Sequence, residues 1–335
     1  MLLDLNDKKI LKELGVNARQ TNSRIGKNLK LSQQVISYKV NNLIKREVIK
    51  GFFTIINFNQ LGFSNFGVLI KLSKLNNLDK ERFIKELEKS KNILLVNECG
   101  GKWDIILNVL AKNPSHFEEI LTYLINKHGN KILNYDAYVT LSGTNLGRKY
   151  ITESTGHPRN LFTSRDAAFE LSELDMKILK ELSKNARLNA SMLEGKIGTN
   201  YKTIINRIKK LEEKNIIIGF KPLIDISKLG YFTSKFYLEI NRLNEEENKK
   251  FIEFLNKKEN IIGTIKMIGK WNYSIGVETR SQEEIWEIYK EIQSFLGEKI
   301  REIELIPIFQ KHMYNYFPES LLENSLSGGK KIISK

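Results

Sequence analysis

Hydrophobic and polar residues follow one another along this chain in an order that occurs twice. In residues 1–51 the apolar positions recur at helical spacing in three short runs, separated by polar breaks near 17–22 and 28–32. Residues 171–219 show the same order. The pattern therefore predicts three short helices at the start of each copy. In the third helix the expected inward residues are Leu31, Val35, Val40 and Leu43.

After each helical segment the apolar period changes to that of β-strands interrupted by two amphipathic helices. The order βαββαβ predicts a ferredoxin-like layer of two helices on one antiparallel sheet. One face of such a sheet is left open, and we expect it to be buried against the sheet of the other copy. In the first copy strands are expected at 66–72, 93–96, 103–110 and 132–141, with helices at 79–90 and 115–127. In the second copy strands are expected at 236–240, 261–268, 271–277 and 300–308, with helices at 248–257 and 283–295.

A single offset relates the two copies. Adding 168 to the residue number carries Asn17-Ala18-Arg19 onto Asn185-Ala186-Arg187 and Gly101-Lys102-Trp103 onto Gly269-Lys270-Trp271, without a gap. This is a tandem duplication with a period far longer than that of solenoid repeats. We refer to the copies as repeat one and repeat two, and expect them to form a covalent version of a symmetric dimer.

The expected fold class is α+β: two winged helix-turn-helix domains, each followed by a ferredoxin-like domain, arranged as a pseudo-dimer in one chain. Between the repeats, glycines and basic residues such as Arg148 and Lys149 indicate a linker whose charges are solvated. The glycine-rich end of the chain is expected to be disordered. The predicted boundaries are 1–51 and 52–141 in repeat one, 142–170 for the linker, 171–219 and 220–312 in repeat two, and 313–335 for the tail.

Composition narrows the class of protein. Of the 335 residues 41% are hydrophobic, which is enough to build the cores of several domains. The chain shows no apolar run of signal-peptide length at its start and none of the roughly 18 residues that a membrane span requires. The lone Cys99 excludes an internal disulfide and a zinc-binding cysteine cluster. We therefore expect a cytoplasmic protein with no membrane partner, no metal and no cofactor.

The net charge of +15 is unevenly distributed. A lysine-rich composition alone would scatter the excess along the chain. Instead, residues 1–51 carry a net charge of +7 and residues 171–219 carry +4, so the two helical segments hold most of it. Charge concentrated in this way is typical of a module that binds a polyanion such as nucleic acid.

The third predicted helix of each repeat carries the candidate base-reading residues. Ser32 is expected to cap this helix in repeat one, because its hydroxyl can accept from backbone donors of the first turn. The outward face is polar, as in a recognition helix, although an ordinary solvated helix face has the same pattern. We expect Gln34 to pair with adenine, and Lys39 and Arg46 to hold phosphates. The predicted DNA contacts are Ser32, Gln33, Gln34, Ser37, Tyr38, Lys39, Asn41 and Arg46, with Asn200, Tyr201, Lys202, Asn206, Arg207 and Lys210 in repeat two.

The order and spacing of several short segments resemble the leucine-responsive and asparagine-responsive regulators, the Lrp/AsnC family. The segments are Asn17-Ala18-Arg19, Leu31-Ser32, Leu61-Gly62 and Gly101-Lys102-Trp103-Asp104, the last leading into a strand. The resemblance implies a transcriptional regulator that binds double-stranded DNA through paired helix-turn-helix modules. It also implies a small-molecule effector, often an amino acid, bound between the sheet domains. The repeats are expected to pair within the chain, and further homo-oligomerisation is left open.

Repeat two departs from the family pattern at its helix-turn-helix. Glu194 stands where repeat one has Gly26, Thr199-Asn200 replaces Leu31-Ser32, and Ile205 takes the outward place of Ser37. Asn200 can still cap the helix. These changes leave attraction to the DNA backbone intact and make base reading by repeat two less certain, so we expect repeat one to supply most of the sequence specificity.

The turn between the two central strands of each sheet is the candidate effector site. In this interpretation Asp104 holds the amino group of a ligand while backbone donors meet its carboxylate. A plain hairpin turn with a solvated aspartate explains the same residues equally well, and Trp103 and Trp271 are expected in the core. The candidate effector residues are Gly100, Gly101, Asp104, Gly269 and Asn272.

An enzyme is the competing class of function. Siroheme decarboxylases resemble the same family in fold. An enzyme of that type would require a basic, histidine-bearing cluster between the second and third strands to bind the tetrapyrrole. Residues 97–103 and 265–271 hold neither histidine nor arginine. No nucleophile elbow, phosphate loop or carboxylate pair presents itself, so we expect a regulator and not an enzyme.

Overall fold

The structure is a computed structural model that describes residues 3–152, 158–163, 169–318 and 320–321. Short 3₁₀ turns lie at Phe58–Leu61, Ile226–Leu229 and Gly297–Lys299. The helices are α1 (Leu5–Val16), α2 (Asn22–Leu29), α3 (Gln33–Lys45), α4 (Asn77–Glu88), α5 (Pro114–His128), α6 (Lys149–Thr152), α7 (Glu173–Lys184), α8 (Ala190–Ile197), α9 (Tyr201–Glu213), α10 (Glu245–Asn256) and α11 (Gln282–Leu296). The strands are β1 (Ile49–Ile56), β2 (Ser64–Leu72), β3 (Ile93–Cys99), β4 (Ile105–Ala111), β5 (Ile132–Asn145), β6 (Arg159–Thr163), β7 (Ile217–Ile224), β8 (Phe232–Ile240), β9 (Ile261–Ile268), β10 (Tyr273–Thr279) and β11 (Ile300–Tyr314).

The two predicted ferredoxin-like sheets form, and they join edge to edge. Repeat one has the strand order β5-β2-β4-β3, and repeat two has β11-β8-β10-β9. The edge strand β3 pairs with β11, and β9 pairs with β5. These two seams close the described strands into one eight-stranded barrel, with β6 added alongside β5. Closure leaves few unpaired strand edges, and the sequence pattern did not predict it.

The open faces of the two sheets look inward across the barrel, so the expectation that they bury one another is confirmed. Trp103 and Trp271 are 1% and 0% exposed there. Tyr138 and Tyr237 bring their hydroxyl groups to 3.1 Å across the interior. The outer faces of the sheets are covered by α4 and α5 in repeat one and by α10 and α11 in repeat two, each over its own hydrophobic core.

The two helix-turn-helix units share one hydrophobic core. Strands β1 and β7 pair antiparallel between them, and buried residues from both units form one cluster. The predicted boundaries at 51/52 and 219/220 fall within these two strands. The apolar residues Ile49 and Phe52 belong to the same strand and the same core as the helices before them.

The predicted linker carries ordered structure. Strand β5 runs on to Asn145, and α6 and β6 follow. Arg148 is paired within the fold and is not a free charge: its guanidinium donates to both carboxylate oxygens of the buried Glu278, at 2.7 and 3.0 Å. Lys149 is 6% exposed and donates to the backbone oxygen of Asn256 at 2.7 Å.

The predicted tail begins too early. Strand β11 extends to Tyr314, and Tyr316 stacks on Phe53 with ring centroids 4.1 Å apart. Phe317 and Leu321 join the core of the helix-turn-helix units. Apolar side chains thus tie the chain down beyond residue 312, whereas the glycine-rich segment at 327–331 lies outside the described residues. No helix in the described ranges is both long and apolar enough to cross a membrane.

Candidate nucleic-acid interface

The recognition helices α3 and α9 begin at the predicted caps. The Ser32 hydroxyl accepts from the backbone N–H of Val35 at 3.2 Å, and the Asn200 side chain accepts from that of Lys202 at 2.9 Å. The inward face of α3 consists of Ile36, Val40 and Leu43. Val35 was predicted to point inward, but it is 39% exposed, because the helical register places Ile36 over the core instead.

Most of the predicted base-reading residues of repeat one lie on one solvent-exposed face of α3. Gln33, Gln34 and Asn41 are exposed, Tyr38 is 71% exposed, and Ser37 is half-buried. This face offers amide and hydroxyl groups, which can hydrogen-bond to base edges in a major groove.

The equivalent face of α9 has a different chemistry. Ile205 is 49% exposed in the middle of it, at the position of Ser37. Lys202 stands in the place of Gln34 and Asn206 in the place of Tyr38, and both are exposed, as are Tyr201 and Lys210. An apolar side chain at the centre and a cation at the edge suit backbone attraction better than base readout.

Three of the residues predicted to contact phosphates form ion pairs within the fold. Lys39 forms ion pairs with Asp4 at 2.5 Å and Asp7 at 3.0 Å, and Arg46 lies 3.5 Å from Asp7. In repeat two, Arg207 lies 3.6 Å from Asp175. These pairs fasten α3 to α1 and α9 to α7.

The carboxylates beside Lys39 also shift its protonation. Burial alone would lower the pKa of Lys39, but hydrogen bonds to Asp4 and Asp7 outweigh it and raise the pKa above its ordinary value. The hydrogen bond from Lys39 holds the pKa of Asp4 below its usual range. Because Lys39 already pairs with two carboxylates, its charge is largely neutralised within the fold.

Other exposed cations, on and beside the recognition helices, are free to contact the phosphates of a DNA backbone. Those on α2 and its turn were not predicted from the sequence, because DNA contacts were assigned to the third helix alone. None of these side chains forms an ion pair among the described residues. They are Arg24, Lys27, Lys30 and Lys45 in repeat one, and Lys202, Lys210 and Lys214 in repeat two.

The departure at Glu194 has a structural role. In repeat one a Cβ on Gly26 would lie 2.5 Å from the backbone oxygen of Leu31, so the turn into α3 leaves no room for a side chain. In repeat two the turn is different, and the Glu194 carboxylate accepts from the backbone N–H of Tyr201 at 3.1 Å. A negative charge thus sits at the N-terminus of α9, where repeat one has none. Helix N-termini otherwise attract phosphate.

A reciprocal pair of arginines joins the two helix-turn-helix units. Arg19 donates to the backbone oxygens of Ala186 and Leu188 at 2.6 and 2.8 Å, and its guanidinium lies over the ring of Phe220. Arg187 donates to Asn22 at 2.8 Å and lies over the ring of Phe52.

Sequence reasoning counted these two arginines among the charge available to DNA. Burial lowers the pKa of both, although an arginine stays protonated. Both arginines belong to the Asn-Ala-Arg motif that recurs at the 168-residue offset, and this repetition is the one feature of the sequence that indicated a shared structural role. Together with the β1–β7 pair, the arginines hold α3 and α9 in a fixed relation.

The candidate effector residues are occupied by the fold. The Asp104 carboxylate accepts from the backbone N–H of Leu72 at 2.8 Å and from the Lys71 amine at 3.4 Å. Asn272 accepts from the backbone N–H of Ile240 at 2.7 Å. Both side chains fasten the start of a central strand to its neighbour, which gives them a structural role whether or not a ligand binds there.

The glycines of these turns are accounted for by backbone geometry and packing. Gly101 has φ +90, in the left-handed region, and a Cβ on Gly100 would lie 2.5 Å from the Phe309 ring. A Cβ on Gly269 would lie 2.9 Å from the Cβ of Tyr138. The hairpin interpretation of this segment is therefore the one that the geometry supports.

Comparison with known proteins agrees with the duplication. The family model described as winged helix-turn-helix DNA-binding matches residues 3–50 and again 171–218. An uncharacterized HTH-type transcriptional regulator of Pyrococcus furiosus is 33% identical over 142 residues, covering 42% of this chain and 92% of that protein. The leucine-responsive regulatory protein of Rhizobium meliloti is 39% identical over 62 residues, covering 18% of this chain and 40% of that protein.

The crystal structure of the siroheme decarboxylase NirDL resembles the whole chain. It covers 95% of this chain and 97% of that chain, with a TM-score of 0.61 and 10% sequence identity. At this identity the likeness shows the fold alone. The arrangement of all four domains therefore has a counterpart among solved structures, without information on activity.

Proposed function

The chain belongs to the Lrp/AsnC family of helix-turn-helix transcriptional regulators, and from this premise we propose that it is a sequence-specific DNA-binding regulator acting on a duplex operator in the cytoplasm. One observation carries the proposal most directly. Two recognition helices with exposed outer faces stand on units that share a core and are fastened by Arg19 and Arg187. A single chain thus offers what a dimer of ordinary helix-turn-helix proteins offers.

The proposed partner is double-stranded DNA, and the salt dependence of binding tests it. Each phosphate neutralised by a lysine or arginine adds about −0.9 to the slope of log affinity against log salt concentration. The exposed cations of both units lead us to expect a steep negative slope on any duplex. A slope near zero, or no binding at low salt, would contradict the proposal.

An enzyme of the siroheme decarboxylase type is the alternative on the same fold. The turns between the second and third strands carry no histidine or arginine, and His312 near the end of β11 lies 3.1 Å from Glu98. We expect no change in the siroheme absorption spectrum when the protein is added. A shifted spectrum at equimolar protein would favour the enzyme instead.

The regulator is further proposed to respond to a small metabolite such as an amino acid. Support comes from the family and from the barrel, whose seams join the two repeats and lie between the sheet domains. Asp104 and Asn272 accept hydrogen bonds from backbone N–H groups, which favours another place for the ligand. Further homo-oligomerisation of the chain stays part of the proposal, to be tested by light scattering with and without ligand.

A further inference from the structure

Two grooves lie on the outer surface of the barrel, one at each seam between the repeats. Groove one is formed by α4, β3 and β11 and is lined by Lys80, Glu98 and His312 among others. Groove two is formed by α10, β9 and β5, and is lined by Asn248, Lys266 and Thr144 at the same positions after the 168-residue offset. The two grooves are therefore counterparts under the pseudo-twofold symmetry of the chain.

The negative charge on the floor of groove one is paired with neighbouring side chains. Glu98 on its floor forms an ion pair with Lys80 at 2.5 Å and lies 3.1 Å from the Nε2 atom of His312. Burial would raise the pKa of Glu98, but the hydrogen bonds from Lys80 and His312 outweigh it and lower the pKa. The carboxylate thus stays ionised and paired.

Groove two has the opposite charge on its floor. Lys266 stands where groove one has Glu98, opposite Ser142 on β5 and Tyr273 on β10. Its amine lies 6.0 Å from the centre of the Tyr273 ring, and no acidic side chain of the described residues forms an ion pair with it. The charge of Lys266 is therefore available to an anion that enters the groove.

The floor of groove two is also more polar than its counterpart. Thr264 and Tyr273 replace Val96 and Ile105, which are buried in the core of repeat one. The Tyr273 hydroxyl donates to the Asn248 carbonyl oxygen at 2.6 Å, which leaves the Asn248 amide N–H groups as donors. The Asn248 amide N–H groups beside a cation suit the oxygens of a carboxylate.

The dimensions of groove two fit a small molecule. Its volume is about 650 Å³, within the roughly 300–1,000 Å³ of ligand sites in proteins. At the rim, Lys249 and Glu253 carry opposite charges, so they leave the lysine on the floor as the net charge of the groove.

From these observations we infer that groove two binds a small polar organic carboxylate, with the carboxylate on Lys266 and Asn248, and that groove one does not. The inference deepens the proposed function, because it gives the metabolite a place and a chemical class. A ligand at this seam touches β5 of repeat one and β9 and α10 of repeat two together, so its binding couples the two repeats.

Calorimetric titration in the absence of DNA tests the inference. The probes are L-lactate, succinate, L-serine and L-glutamine, with inorganic phosphate as the competing anion. We expect at least one carboxylate to bind, and Lys266→Gln to weaken it about ten- to a hundredfold, as for the loss of a charge-assisted hydrogen bond. The matched control Lys80→Gln removes the same charge from groove one and is expected to leave binding unchanged.

Several results would overturn the inference. They are no binding of any of the four carboxylates, binding of phosphate alone, or equal losses in the Lys266→Gln and Lys80→Gln variants. Thermal unfolding of each variant without ligand shows whether it folds, and Lys266→Arg, which keeps the charge, should retain most of the affinity. DNA affinity is measured separately, so a protein that binds the carboxylate but not DNA would remove the proposed function and leave groove two standing.

Discussion

The two helix-turn-helix units are alike where they touch each other and differ where they face solvent. Arg19 and Arg187 make reciprocal contacts, and both lie over a phenylalanine ring of the other unit. By contrast, Lys202 corresponds to Gln34 and Asn206 to Tyr38 across the offset, and all four side chains are exposed. A contact between the repeats constrains both copies at once, whereas an exposed position constrains only its own. The duplicated scaffold has thus stayed symmetric while its binding surfaces have diverged.

The largest expected effect concerns the two recognition faces. The triple variant Gln33→Ala/Gln34→Ala/Tyr38→Ala should lose preference for the operator over random DNA, because each base contact is worth about 1–3 kcal/mol. The counterpart Tyr201→Ala/Lys202→Ala/Asn206→Ala should weaken binding to both DNAs more evenly. Competition binding at fixed salt measures the difference. Equal losses of discrimination in the two variants would mean that the faces do not differ in role.

The symmetric part of the molecule predicts equal effects in the two repeats. Arg19→Ala and Arg187→Ala each leave part-buried acceptors between the two units without a donor, which costs about 1.5–3 kcal/mol of unfolding free energy. Urea denaturation of both variants checks this. An effect confined to one of them would show that the pairing of the two units is less symmetric than the contacts indicate.

Glu194 offers a smaller but sharper test of the divergence. Replacing it by glutamine keeps an acceptor for the Tyr201 N–H and removes a negative charge from the N-terminus of α9. A charge at a helix terminus is worth about 0.3–1 kcal/mol, so DNA affinity should rise about two- to fivefold. Glu173→Gln, which removes an exposed charge on α7, is the control. If both variants raise the affinity equally, the position of Glu194 has no special importance.

The smallest expected difference is in the response to acid. Burial lowers the pKa of His128 below its ordinary 6.5, and the nearby Glu86 offsets this only in part. The unfolded chain therefore takes up a proton at higher pH than the folded one. The stability of the α5 region should be complete above pH 6.5 and fall as the pH drops through that value. Repeat two has Leu296 at this position and lacks the effect.

Hydrogen exchange measures this difference. We expect the protection of α5 to fall between pH 8 and pH 5 more than that of α11. The variant His128→Leu, which gives repeat one the side chain of repeat two, should remove the difference. Protection factors of α5 that are independent of pH in the wild-type protein would rule the mechanism out.

The periodicity of apolar residues predicted the three helices and the βαββαβ order of each repeat, because spacing such as that of Ile10, Leu11 and Leu14 is a local property. It predicted neither α6 nor β6, which lie in the expected linker. Edge pairing of β3 with β11 was not predictable, since it depends on partners 200 residues away and leaves no local pattern. The same limit applies to the site. Exposure of Gln34 follows from helical phase, but the ion pairs of Lys39 and the backbone bond of Asp104 require tertiary contacts. Lysine or aspartate in a sequence does not show whether its charge is already paired.

Hydroxyl-radical footprinting on an operator found by genome-wide mapping of bound DNA tests the central claim most directly. One chain should protect two patches on the same side of the duplex, about 34–36 Å apart or a multiple of that, as helix-turn-helix pairs do. Gln33→Ala/Gln34→Ala/Tyr38→Ala should erase one patch preferentially and leave the other. A single isolated patch per chain, or no protection at low salt, would contradict the account.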